Sequence, residues 1–420
     1  MAKGDSFGFV ATNLVANLIF IARSYVTMHA LDYRDLGVVT VMQTIMLLVG
    51  ALQFGVLNGG YRLLCSVAAE EEGRLINNAA YSCFAVIATF SLLVGLSIDR
   101  FGAPDVAIWV TLTGIGAGAL TLVRNWINNQ MIAGAMLRLL NRVTMWSAIM
   151  SLVPLLAIGR APLAACILSV AIQPALFIGA VLVARPALRP DGWNLDSVLL
   201  RRIFSAGFFI FLSGMLLQLN AQVERWYVVR FLGLDALGHL YLAFLLVNLF
   251  SIVPNALQSL FMPRIVQAWD RRDAAAIGRA MRRLVLGNLA YCATGILAVA
   301  LFARPIVELA LPRYGGDLRY VFLVLPGLAI YTIGGAVGVI FNVLIRYRTY
   351  NVGFGAATLL TIVAFAAGPL FAIRYTLDGV SLIKASAYGL SGLIFIVGFW
   401  LLSREYGEFR LGWRGGTGRA

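Results

Sequence analysis

The chain has 420 residues, of which 60% are hydrophobic and only 12% charged, and its mean hydropathy is +0.86. Soluble chains of this length are about half apolar and about a quarter charged, so the composition excludes a pair of soluble globules and marks an integral membrane protein. The 33 Lys and Arg against 19 Asp and Glu give +14; because no basic stretch lies outside a membrane-spanning context, that excess reads as loop charge that fixes topology, with no nucleic-acid partner.

Crossing about 30 Å of hydrocarbon takes roughly 20 apolar residues. Runs of that length predict twelve spans, at 7–30, 37–61, 77–98, 105–127, 143–159, 162–184, 206–232, 237–262, 284–303, 318–345, 352–373 and 380–402. The first run follows only a few residues and shows no cleavage site leading into a soluble domain, so it reads as a retained helix. Gly159 to Pro162 make a tight break between the fifth and sixth spans, the two with the least certain edges. With the N-terminus inside, 21 Lys and Arg fall on inside segments and 7 on outside ones, which places both termini in the cytoplasm. The outside loops are all short. Of the inside connections, 185–205 carries Pro186 and Pro190 at the midpoint of the chain.

The expected fold is therefore an all-α integral membrane protein, with about 12 transmembrane helices in two six-helix, pseudo-symmetric bundles. The bundles are 1–184 and 206–402, joined by a cytoplasmic linker, 185–205, and followed by a cytoplasmic tail, 403–420. The halves echo one another: Arg23 with Arg225, Leu31-Asp32 with Leu234-Asp235, Gly37 with Gly238, and Arg62 with Arg264. A steady offset with matched direction is the pattern of two parallel repeats, as in transporters that rock about a central site.

The residues that catalysis or metal binding would need are missing. Cys65, Cys83, Cys166 and Cys292 share no ligand spacing, and His29 and His239 are too far apart in sequence for a zinc motif. No nucleotide-binding glycine loop or hydrolase motif is present, so no catalytic residue, metal or cofactor is expected.

Charge inside the bilayer is costly, which makes each instance a functional candidate. Arg23, Arg124, Arg225, Arg230 and Lys384 fall inside the spans, and Glu224 is the one acid well inside. Arg124, Arg230 and Lys384 stand near enough to helix ends to snorkel. In the seventh span Gln218, Gln222 and Arg225 share a face at i, i+4, i+7, and Asn220, Glu224 and Tyr227 repeat the spacing on what reads as an adjoining face. Asn248, Ser251, Asn255 and Gln258 follow in the eighth span, and Asn13 and Asn17 in the first. Such stripes line a solvated cavity or glue helices together. A cavity dominated by guanidiniums favours an anionic substrate, because the arginine fork matches phosphate oxygens. Pro154, Pro174, Pro254 and Pro326 interrupt helices, as bends for alternating access or as static kinks.

Two stretches carry a family resemblance. Residues 22–64 hold a basic residue, an Asp-containing turn, the Gly37 start and the Gly59-Gly60-Tyr61-Arg62 exit. Residues 220–269 hold the Glu224-Arg225 pair, a Leu-Gly turn, the start Gly238-His239-Leu240-Tyr241 and closing Pro263. Together they resemble bacterial polysaccharide-export flippases of the multidrug, oligosaccharidyl-lipid and polysaccharide exporter superfamily, although the Gly-x-Tyr start is displaced here. The resemblance implies translocation of an undecaprenyl-pyrophosphate-linked oligosaccharide across the inner membrane by alternating access, with Arg23, Glu224 and Arg225 as site candidates. Its partners would be that substrate, membrane lipids and a coupling ion, H+ or Na+. A drug or cation antiporter of the same superfamily stays open as an alternative, although it would want more intramembrane acids. A polysaccharide polymerase or ligase would need a large outside loop, which the sequence lacks.

Overall fold

Each expected span corresponds to a helix in the computed structural model, which describes residues 3–66, 70–98, 106–271, 273–343, 347–367 and 376–405. The expected tail beyond residue 405 and the side chain of Asn13 lie outside the described parts. In chain order the helices are α1 (Lys3–Ala30), α2 (Tyr33–Ala51), α3 (Val56–Ser66), α4 (Glu70–Ile98), α5 (Ile108–Ala133), α6 (Leu137–Met150), α7 (Pro162–Ala184), α8 (Ser197–Phe231), α9 (Leu234–His239), α10 (Tyr241–Asp270), α11 (Ala274–Ala310), α12 (Leu318–Val343), α13 (Tyr347–Ala367) and α14 (Leu377–Glu405). Among the described residues nine helical stretches are long and apolar enough to cross a membrane. Helices α1, α5 and α13 complete a set of twelve. In α5 the run Arg124, Asn125, Asn128, Asn129 and Gln130 dilutes the hydropathy, which is itself a sign that one face of α5 meets protein.

Three local features depart from the sequence reading. The second span is two helices, because Phe54 and Gly55 adopt positive φ of 45° and 90° and α3 restarts at Val56. The fifth span ends as a 3-10 turn, Val153–Ala157, with Pro154 at its start. Helix α8 begins well before residue 206, because Asp196 accepts the Val198 and Leu199 amides and caps it at Ser197; such a cap is worth about 1 kcal/mol.

What remains of the linker, 185–196, is fastened to α4. Asn77 Nδ2 donates to the carbonyls of Leu188 and Arg189 at 3.4 and 3.3 Å, and Asn78 Nδ2 donates to Asp191 at 2.6 Å. The amide of Asn194 donates to Ser82 Oγ, and Arg74 pairs with Asp191 at 2.9 Å. Asn77 Oδ1 also accepts from Trp126 Nε1 and Gln130 Nε2 of α5, at 2.9 and 2.7 Å. One buried amide thus ties two helices and the strap together, with its donor and acceptor both occupied.

The chain divides into two compact units, Met1–Tyr241 and Leu242–Ala420. Within the first, α8 packs on α2 and α3, and the short α9 packs on the start of α2. That last seam is reciprocal. A Cβ on Gly37 would overlap the carbonyl oxygen of Leu234, and a Cβ on Gly238 would overlap that of Tyr33. Tyr33 opens α2 and Leu234 opens α9, so the first residue of each helix meets the fifth of the other. On this seam Gly37 and Gly238 hold matching positions, and Asp32 then matches Gly233, where the sequence reading set it against Asp235. The two N-caps solve one problem differently. Asp32 accepts the Asp35 amide through its side chain, while Gly233 takes a φ of 89°. Tyr33 and His239 stack across the seam, ring centroids 3.7 Å apart.

In the second unit α12 and α14 pack closely, with Gly327 against Ala385 and Gly334 against Gly392, backbone on backbone. Small residues at these seven-residue intervals let two membrane helices approach where no hydrophobic force drives them together.

An arginine pair facing one helix of the first unit

Arg23 projects from α1 and is only 6% exposed. Its Nη1 donates to the Ser169 carbonyl at 3.0 Å and to Gln173 Oε1 at 3.3 Å, both on α7, and its guanidinium lies 5.5 Å from the Phe20 ring centroid. Arg124, from α5, reaches the same helix α7, with its guanidinium 5.3 Å from the ring centroid of Phe177. Neither arginine forms an ion pair among the described residues.

Burying an uncompensated guanidinium costs several kcal/mol, and ring contacts return about 1–2 kcal/mol each. A carbonyl, one amide oxygen and two rings stabilise the cations only in part. The arrangement is short of negative charge, and an entering anion would supply it.

The other predicted residues fall elsewhere. Arg225 is half-buried on α8 and donates through Nη1 to Thr44 Oγ1 of α2 at 3.2 Å, with half-buried Gln218 and buried Gln222 on the same side. Asn220, Glu224 and Tyr227 are also buried, but not on an adjoining face. Two residues of an α-helix turn through about 200°, so this second stripe lies on the opposite side of α8, and the helix is polar on two sides. Arg124 is half-buried in the second half of α5, with its guanidinium turned to α7. Lys384 is 4% exposed with its ammonium 4.5 Å from the ring centroid of Tyr388 in the second unit; Arg230, at the end of α8, is exposed. Asn248 and Asn255 are exposed on α10 of the second unit.

Sequence reasoning missed Ser169 and Gln173. The signal was present: they are the two polar side chains of α7 that are neither terminal nor compatible with lipid, spaced i, i+4 in an otherwise apolar helix. The high hydropathy of that helix and its internal Pro174 drew the reading toward a simple span with a kink.

No protein-family model matches the sequence, and no curated protein matches it. Solved structures do match. An inward-facing multidrug resistance MATE family transporter of the MOP superfamily aligns over 96% of this chain and 100% of its own, at a TM-score of 0.74 and 11% identity. The chain has the fold of MOP-superfamily transporters. The lipid II flippase MurJ, in an inward closed conformation, aligns over 96% of this chain and 88% of its own, with a TM-score of 0.74 and 12% identity. A MOP superfamily transporter from Pyrococcus furiosus, described as having a binding pocket of reverse polarity that suggests a different function, aligns over 96% of this chain and 95% of its own at 0.66 and 11%. The MOP fold agrees with the all-α, twelve-helix reading, and the matched proteins are transporters and flippases, not enzymes. The chain is a multi-pass membrane protein.

Proposed function

We propose that this chain is a flippase that exports a lipid-linked oligosaccharide, and that its first unit holds the anionic phosphate linkage at Arg23 and Arg124. The observation that carries the reading is the buried Arg23 guanidinium and the half-buried Arg124 guanidinium, both turned to α7 and neither in an ion pair among the described residues. Such a pair suits a phosphate or pyrophosphate, which offers oxygens to both forks. The glycan would occupy polar space lined by protein while the apolar tail stays in hydrocarbon, so no sugar hydroxyl meets lipid. Coupling to H+ or Na+ belongs to the same reading, as do a place in the cytoplasmic membrane and both termini inside. The pocket of reversed polarity described for the Pyrococcus furiosus transporter supports the premise that pocket charge separates functions on this fold.

A second reading has one observation in its favour. Glu224 is a carboxylate only 2% exposed within a membrane helix, the kind of group a cation antiporter uses. One experiment divides the two. A chromosomal deletion is complemented with the wild-type chain, Arg124→Ala or Glu224→Gln, and lipid-linked oligosaccharide retained on the cytoplasmic face is measured beside efflux of ethidium. The flippase reading expects glycan intermediate to accumulate in the deletion and in Arg124→Ala, with ethidium efflux unchanged. Efflux that follows Glu224 while glycan is unaffected would establish the antiporter instead.

Topology has its own check. A cysteine placed at exposed Gly316 should react with an impermeant reagent added outside, and one placed at exposed Asp273 should not; the reverse pattern would overturn the orientation.

A further inference from the structure

Residues 125–130 of α5 include four amide side chains, and two of them are unused. Asn125 and Asn128 are half-buried, and neither side chain hydrogen-bonds to another described residue. With a rise of about 1.5 Å per residue, Asn128 stands about 11 Å past the middle of α5, inside the half-thickness of about 15 Å of a hydrocarbon layer. An asparagine side chain is too short to snorkel from that depth.

Their direction follows from the helix. At about 100° per residue, Asn128 lies about 40° around the axis from Arg124, Asn125 about 100° and Asn129 about 140°. Arg124 is turned to Phe177 of α7, and Asn129 Nδ2 donates to the Leu57 carbonyl of α3 at 3.4 Å. The two unused amides therefore occupy the arc between the side of α5 that meets α7 and the side that meets α3. Around the rest of these turns Leu122, Trp126, Ile127 and Met131 are buried. Hydrocarbon offers an amide neither donor nor acceptor, so this arc is stable only against water or a polar ligand.

The chemistry of the arc selects the ligand. An amide presents two N–H donors and a carbonyl acceptor, and a sugar hydroxyl both donates and accepts, so each asparagine can hold a pair of hydroxyls. Neither asparagine is charged, so recognition of an anion stays with Arg124. Side chains four residues apart on a helix have Cβ atoms about 5–6 Å apart, which sets Asn128 directly beside an anion held at Arg124. On the charge-based orientation α5 runs toward the cytoplasm, so both asparagines stand on the cytoplasmic side of Arg124. That is where the glycan hangs when its phosphate has just entered.

We infer that Asn125 and Asn128 form an entry-side subsite for the first sugar of the carried glycan, the one attached to the phosphate at Arg124. The inference rests on the flippase reading and deepens it. The arginines bind any phosphorylated polyprenol alike, whereas the two amides let the protein tell a loaded carrier from an empty one.

The test titrates the purified full chain in detergent with three probes, read by calorimetry. One is a short-chain polyprenyl pyrophosphate, and the others are the same lipid carrying N-acetylglucosamine or galactose. The wild-type chain should bind at least one sugar-bearing probe about tenfold more tightly than the bare lipid. Asn125→Leu with Asn128→Leu should erase that preference and leave the affinity for the bare lipid unchanged; the paired alanine substitutions serve if the leucine variant does not fold. A wild-type chain that binds all three probes equally overturns the subsite and leaves the phosphate reading standing, as does a doubly substituted chain that keeps the preference. A wild-type chain that binds none of the three overturns the flippase reading and the subsite together.

Discussion

Arg23 and Arg124 in the first unit, and Lys384 in the second, all set a cation against an aromatic ring, at 5.5, 5.3 and 4.5 Å from the centroids. Their surroundings differ in kind. The arginines are contributed by two helices and converge on a third, which they meet through side chains and a single carbonyl. Lys384 stands beside Ala385, where α12 and α14 touch backbone to backbone. Side chains that span a gap can exchange partners when a ligand enters, whereas a cation beside a close helix seam has its neighbours fixed. Burial alone does not mark a site; what matters is whether the buried charge has partners it could trade.

The strongest way to break this contrast is Arg124→Ala. That change removes a ring contact and no hydrogen bond among the described residues, so abundance should stay near wild type while export falls about a hundredfold, an effect of roughly 2.7 kcal/mol. Lys384→Met keeps the volume and the ring contact, and export should survive it. If the lysine change silenced export and the arginine change did not, the contrast would be inverted.

Substitutions in the structural seams should act on stability. Gly238→Ala and Gly37→Ala each drive a methyl into a carbonyl, and overpacking of this kind costs about 1–3 kcal/mol; thermal unfolding in detergent should show both. Asn77→Ala strands the Trp126 and Gln130 donors and frees the strap, for about 1–3 kcal/mol, so limited proteolysis should begin to cut within 185–196. Smallest of all, Arg202→Ala removes an exposed pair with Glu72 at 3.2 Å and should cost under about 1 kcal/mol. An Arg202 effect larger than the Asn77 effect would show that α4 is fastened to its neighbours by surface charge and not by its buried amide.

The twelve spans were legible because the bilayer imposes length and hydropathy together, and a chain cannot evade either. Breaks inside a span were not. Gln53-Phe54-Gly55 sits in apolar sequence, and only the backbone reveals that two of its residues turn left-handed. The start of α8 was readable in principle from Asp196, but basic Arg201 and Arg202 made the segment look like loop. The site was legible as separate residues and not as a constellation. Arg23 and Arg124 are 101 positions apart, and no periodicity within one helix reports which neighbour a side chain will reach. The α8 stripes show the opposite error, since the spacing was right but the angle between the two stripes was misjudged.

The reciprocal seam between α2 and α9 has a consequence for how it can come apart. Tyr33 meets Gly238 and Leu234 meets Gly37, so the seam is one contact made twice about a local two-fold axis, the isologous pattern usually found between subunits. The copies are not equal, because only the half that holds Gly238 adds the stacked Tyr33 and His239 rings, so separation would start at the Leu234–Gly37 contact. Every opening would bare the same two carbonyls and the same two glycines to water, whichever helix moved first.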